Sequence, residues 1–283
     1  MTKLFPMLAI VPIAALLAAA PVSASQAPTA RAWVILQQGL TSKSAAKRAN
    51  AAHSLRLLAH NPRAQEMAEH ALADPNPNVR AAAARALGPL GAVSSMAKLK
   101  RLLNDREPSV VLASAHSLLL LGDRQDVYDI DFEVLNGDRK SADGFVTSQM
   151  NEPRDPRVVA TMGIETGIGF VPFGGEAYEA FKRITKDDRT PVRVAAVKDL
   201  ATDRDPKIDA VLARACSDRK SSVRAAALYA IAKRDDPALL NAITPALEDK
   251  NDIVKYEAAA AVLRLSGEKP SEWHLADSSR RAR

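Results

Sequence analysis

The residue types best suited to chemistry are scattered in this chain. None of its five histidines, His53, His60, His70, His116 and His274, is followed by Glu, and no short-range set of His, Cys and carboxylate has metal-ligand spacing. His53 and His60 share a helical face at best, where packing histidines are the simpler reading than a metal pair. The lone Cys216 stands just before Asp218 on an apolar helix face, so it reads as a packing residue rather than a reactive thiol. No Gly-x-Ser-x-Gly elbow occurs. The stretch VVATMGIETGIGFVPFGG over residues 158–175 is rich in glycine, but Gly167-Ile168-Gly169 lacks a third Gly in register and no Gly-Lys-Ser/Thr follows, so it is no phosphate loop. Its only charge is Glu165, and Phe170, Pro172 and Phe173 stand in it. Three readings stay open for it: core filling, a partner-binding loop, or a hairpin touching a membrane. Nearby, Asp129, Asp131 and Glu133 read as a solvated acidic face before they read as a cation site. No catalytic, cofactor-binding or metal residue is assigned.

One charged pattern does repeat. Asp stands five residues before a Val, and a basic residue follows that Val, at Asp74/Arg80, Asp187/Arg193, Asp218/Arg224 and Asp249/Lys255; Asp105 precedes Val110 in a copy that lacks the Arg. Val79 to Val110, Val192 to Val223 and Val223 to Val254 are each 31 residues apart, and a fixed period in this range marks stacked repeats. Counting from each Val, the fourth and eighth residues continue an apolar stripe at helical spacing, as in Val79, Ala83, Leu87 and Val223, Ala227, Ile231. A second apolar helix ends before each Asp, at Met96–Leu103, Val211–Cys216 and Ile243–Leu247. The Asp, in a short polar turn between the helices, is placed to bond free N–H groups where the next helix starts. The fold expected is all-α, an α-solenoid of antiparallel helix pairs.

A helix–turn–helix unit of this length with Asp-x4-Val-Arg-x-Ala-Ala resembles the HEAT repeat, in the short bacterial form named after phycobilisome lyases. The resemblance implies a ladder in which each Arg bridges to the turn Asp of its own or the next unit; a basic stripe for an acidic ligand is the alternative. It departs from the longer members of the family in its shorter period and in Val111, which stands where the Arg belongs. Di-iron hydroxylases on HEAT-like scaffolds use paired His-Glu ligands, which are missing here, so that likeness stops at the scaffold.

Five regions are expected along the chain. Residues 1–24 read as a secretory signal peptide, with Lys3, an apolar run over 4–20 and a cut between Ala24 and Ser25; no Cys follows the run for lipid attachment. Residues 25–123 hold N-terminal repeats, the first of them (30–61) a cap in which Lys47 replaces the apolar Val. Residues 124–175 hold degenerate repeats and the glycine-rich insertion. The C-terminal repeats, with Tyr178 and Phe181 facing the core, occupy 176–267, and 268–283 is a polar basic tail. Net charge is +6, but Arg280, Arg281 and Arg283 supply much of it, which leaves a nearly neutral body and little case for a nucleic-acid partner. These features point to an exported protein, periplasmic or secreted, that binds another protein without a cofactor. The alternatives are an enzyme of the bilin-lyase kind, against which export argues, and a membrane-surface protein held by residues 158–175.

Overall fold

A computed structural model describes residues 26–124, 190–203 and 205–267; residues 1–25, 125–189, 204 and 268–283 lie outside the described residues. Among the described residues every regular element is helical. They are α1 (Gln26–Leu40), α2 (Ala45–Ser54), α3 (Pro62–Ala71), α4 (Pro77–Leu87), α5 (Met96–Leu102), α6 (Pro108–Leu120), α7 (Thr190–Asp199), α8 (Pro206–Ala215), α9 (Ser221–Arg234), α10 (Leu240–Ile243) and α11 (Asp252–Leu265). Proline at the first turn opens α3, α4, α6 and α8, where its missing N–H costs nothing. Short 3-10 turns extend several ends, and Pro245 makes Thr244–Glu248 one of them, so the first helix of the last pair is a broken one.

The helices pair α1/α2, α3/α4, α5/α6 and α8/α9, and the broken α10 turn packs on α11. Within each pair the apolar stripe is buried: Val79, Ala83 and Leu87 in α4, Ile208 and Leu212 in α8, Val223, Ala227 and Ile231 in α9. Successive second helices then lie side by side, α2 on α4 on α6 and α7 on α9 on α11, with alanines at the contacts.

These two rows are joined through the first and last of the described repeats. Helix α11 packs against α1 and α2, so the second helices follow one another in space as α7, α9, α11, α2, α4, α6. The last repeat therefore sits beside the first. Residues 256–263 of α11 are all buried, because α9, α1, α2 and the α10 turn enclose it and its run Ala258-Ala259-Ala260-Ala261 lets them approach. Gly39 of α1 makes a close approach: a Cβ there would lie 2.6 Å from the Tyr256 ring and 2.7 Å from the Ala51 Cβ. Polar groups tie the same seam. Arg56 Nη1 donates to Glu257 Oε1 at 2.7 Å, Arg264 Nη1 to the Leu57 carbonyl at 2.8 Å, and Arg31 pairs with Glu248.

This arrangement corrects the reading of residues 30–61 as an end cap. That unit is internal to the stack, and its departures from the repeat serve the junction. Lys47, standing where the repeat has Val, meets Asp252 of α11 at 3.1 Å.

Candidate functional site

The repeated Asp and Arg residues are the first candidates, and the structure uses them between repeats. Arg80 Nε and Nη2 donate to the two oxygens of Asp105 at 2.9 and 2.8 Å, and Arg224 does the same to Asp249 at 2.7 and 2.8 Å. In both, Nη1 donates instead to the main-chain carbonyl of the unit's own turn Asp, Asp74 at 3.0 Å and Asp218 at 2.8 Å. Each guanidinium thus clamps its own turn and the next. Arg193 reaches Asp218, and Arg48, from the first unit, reaches Asp74 at 2.7 and 2.8 Å. Where Val111 removes the Arg, Asp123 pairs with Lys100 at 2.7 Å. Lys255 acts on Asp249 by charge alone, since the next repeat in space begins at Ser42 and offers no carboxylate in register. Asp187 lies outside the described residues, as do Glu165, Phe170, Pro172, Phe173 and the expected cut between Ala24 and Ser25.

The turn Asp does not cap the helix that follows it. Asp74, Asp105, Asp218 and Asp249 each accept from the N–H two residues on, at 2.8–2.9 Å, closing a tight local turn. Asn76 and Asn251 then cap α4 and α11 themselves. The Arg48, Arg193 and Asn/Lys donors around Asp74 and Asp218 hold these carboxyls below the usual range. At Asp105 and Asp249 burial opposes ionisation, and Arg80 and Arg224 outweigh it.

A different set of side chains gathers on the other side of the second helices. The sixth residue after each Val, or after Lys47 in the first unit, points away from the buried stripe; in spatial order these are Lys198, Tyr229, Ala260, His53, Arg85 and His116. The face they form curves strongly inward. Arg56, beyond α2, places its guanidinium carbon 5.1 Å from the centre of the Tyr229 ring on α9, although α11 lies between those helices in the stack. Flat packing would hold the two helix axes about two interhelical distances apart, roughly 16–20 Å, whereas the turn at Leu55–Leu57 packs directly on α9. The small Ala260 lets the face close there, and Lys233 Nζ approaches the same ring at 5.8 Å.

The curvature crowds positive charge. Burial first, then the charges of Arg56, Arg85 and Lys198, hold the His53 imidazole well below its ordinary value and neutral at neutral pH. Burial and Arg85 lower His116 in the same way. Lys233 is lowered by burial, then by Arg264 and Arg56. Glu257 and Asp235 answer Arg56 and Arg264. Arg85 is different: half-buried and lowered by burial, it has no carboxylate partner among the described residues. Cys216, the other reactive type, is buried, and burial pushes its thiol up to about 12. No group of three or more His, Cys, Asp or Glu able to hold a metal ion occurs among the described residues.

Residues 34–119 and 179–263 match the family described as HEAT repeats, which is more than half of the chain. The chain belongs to the HEAT-repeat family. Two solved structures are similar to this HEAT-repeat protein. One is human deoxyhypusine hydroxylase in complex with glycerol, at 20% identity over 84% of this chain and 85% of that one, with a TM-score of 0.29. The other is the complex of CpcE and CpcF of phycocyanin lyase from Nostoc sp. PCC7120, at 18% identity over 98% and 97%, with a TM-score of 0.31. No curated protein matches. The inner-face residues were legible only in the repeat register: counting six from each Val finds them, but their types vary, whereas the Asp and Arg positions repeat by type.

Proposed function

We propose that this HEAT-repeat chain is an exported, non-catalytic scaffold of the bacterial cell envelope that holds another protein against the inner face of its repeats. The observation that carries the reading is the depth of that face, where Arg56 and Tyr229 meet across an intervening helix. Curved, rigid stacks of this kind present a long continuous surface and need no cofactor to do so. The chemistry-bearing residues support the same reading by their employment: the ladder carboxylates are paired between repeats and the Cys216 thiol is buried. Export rests on Lys3, the apolar run and the small residues before Ser25.

Affinity capture from the envelope fraction, read by mass spectrometry, tests the scaffold. A stoichiometric protein partner is expected, with N-terminal sequencing of the native chain starting at or near Ser25. Bound bilin or a coloured preparation would favour an enzyme of the lyase kind. Recovery with liposomes on flotation, with an intact Met1, would favour a membrane-held protein.

A further inference from the structure

We infer that the junction between the last and first repeats binds one carboxylate group from outside the chain, in a recess between α11 and the α1/α2 pair where Lys255, the Tyr256 hydroxyl and Ser42 receive it. The site uses none of the inner-face residues and does not depend on the scaffold reading.

The ladder carries the inference. Among the described residues, second helices meet at five interfaces, and at four of them an Arg of one repeat pairs with the turn Asp of the next: Arg48 with Asp74, Arg80 with Asp105, Arg193 with Asp218 and Arg224 with Asp249. The fifth interface is α11 on α2, and both ladder positions differ there. Lys255 stands at the Arg position, and Ser42, five residues before Lys47, stands at the Asp position. The turn itself is unchanged. Arg48 Nη1 donates to the Ser42 carbonyl at 3.0 Å, as Arg80 and Arg224 donate to the carbonyls of their own turn Asp residues. The Ser44 N–H donates to Ser42 Oγ at 3.2 Å, as the N–H two residues on donates to each turn Asp. This turn therefore keeps the backbone of the others and lacks their carboxylate.

A recess of about 230 Å³ opens at this place, with Gln38, Ser42, Lys47, Asp252, Lys255 and Tyr256 in its wall. Asp252 answers Lys47 at 3.1 Å. Lys255 has no ion pair or side-chain hydrogen bond among the described residues, and Asp249 reaches it through charge alone. Tyr256 is only 5% exposed, yet its hydroxyl has no hydrogen-bond partner among them either. Buried hydroxyls are ordinarily paired, so this one asks for an acceptor that the repeat does not supply. Burial, then the charge of Asp252, keeps it protonated and able to donate. The volume lies below the roughly 300–1,000 Å³ of cofactor and drug-sized sites, and suits a single acidic group. Charge narrows the choice further. Two ammonium groups and one carboxylate leave one positive charge, which a carboxylate matches; a phosphate group brings about −1.5 to −2 and is repelled by Asp252. A carboxylate held here joins the last repeat to the first as the turn Asp residues join the others, so its binding should stabilise the junction.

The test titrates sodium acetate into the purified, isotope-labelled protein, with sodium chloride holding the ionic strength, and follows the Gly39 and Ser42 N–H groups and the Gln38 side-chain amide by NMR. Saturable shifts are expected with acetate and none with chloride. Lys255→Ala and Tyr256→Phe should each weaken acetate binding about fivefold or more, since each removes a donor to a charged group. Lys250→Ala, on an exposed residue outside the recess, should stay within about twofold. Ser42→Asp puts the ladder carboxylate into the chain itself: it should abolish the acetate shifts and raise the melting temperature, and acetate should raise the melting temperature of the parent but not of this variant. Acetyl-glutamate amide separates the two sources of a carboxylate. Binding about tenfold tighter than acetate assigns the site to an acidic side chain of a protein, and affinity equal to or below that of acetate assigns it to a small free carboxylate. Absence of saturable shifts overturns the inference, as do shifts that survive both Lys255→Ala and Ser42→Asp, or tighter binding of inorganic phosphate than of acetate.

Discussion

Arg224 shows how much one side chain does here. Its guanidinium donates to both oxygens of Asp249 and to the Asp218 carbonyl, joining two repeats across one interface. Removing it leaves a part-buried carboxylate and a carbonyl under-satisfied, so Arg224→Ala should destabilise by about 1–3 kcal/mol. Exposed Arg101→Ala should stay within about 0.5 kcal/mol, both read by urea titration. The same pairs set an acid limb. The ladder carboxyls are depressed in the folded state, so their stabilisation is complete above the unfolded carboxylate value near 4 and is lost as pH falls through the folded values. His53 adds a limb at higher pH. Its folded value is also depressed, so stability should begin to fall below about 6.5, and His53→Gln should shrink that first part to the share left by His116 without changing the one below pH 4. Cys216 should resist alkylation in the native protein through pH 9 and react in denaturant, since its thiol titrates only at about 12.

Among the elements, α11 is the one on which the others depend. An end helix of a solenoid usually keeps one face in water, yet α11, the last of the described helices, is buried along residues 256–263. It meets α1 at Gly39, where even a methyl group overlaps the Tyr256 ring and the Ala51 Cβ. The Ala51 Cβ is fully enclosed and fixed to the α2 backbone, so it cannot move aside. Gly39→Ala should therefore cost about 1–3 kcal/mol through overpacking, despite the better helix propensity of Ala. A gain in melting temperature would show that α1 and α11 are not packed as described.

For the molecule as a whole, the joined ends change how stability is shared. In a stack that follows chain order, a defect in the last repeat reaches the first only through every repeat between. Here the last and first repeats touch. Leu263→Ala on α11 should cost about 2–5 kcal/mol and should lower the unfolding midpoint seen by Trp33 on α1 as much as the midpoint seen by circular dichroism. Trp33 is made the sole reporter by Trp273→Phe. A Trp33 midpoint that ignores Leu263→Ala would mean that the two blocks unfold independently.

The chain by itself determined the unit: the 31-residue beat and the apolar stripe specify paired helices, because each copy carries an apolar face at helical spacing that a neighbouring helix must cover, and the family match agrees with that reading. It also determined which residue types sit in the turns. Tertiary structure decided which Asp each Arg reaches, since a guanidinium six residues from one carboxylate finds better bidentate geometry on the next repeat's turn, 25 residues on. It decided that Lys47 is a junction residue and no cap, for nothing local distinguishes a solvent-facing Lys from one that meets Asp252 two hundred residues away. The inner face was beyond the sequence for the same reason. Its residues share a register but not a type, and what brings Arg56 to Tyr229 is the order in which repeats stack, which no single repeat encodes.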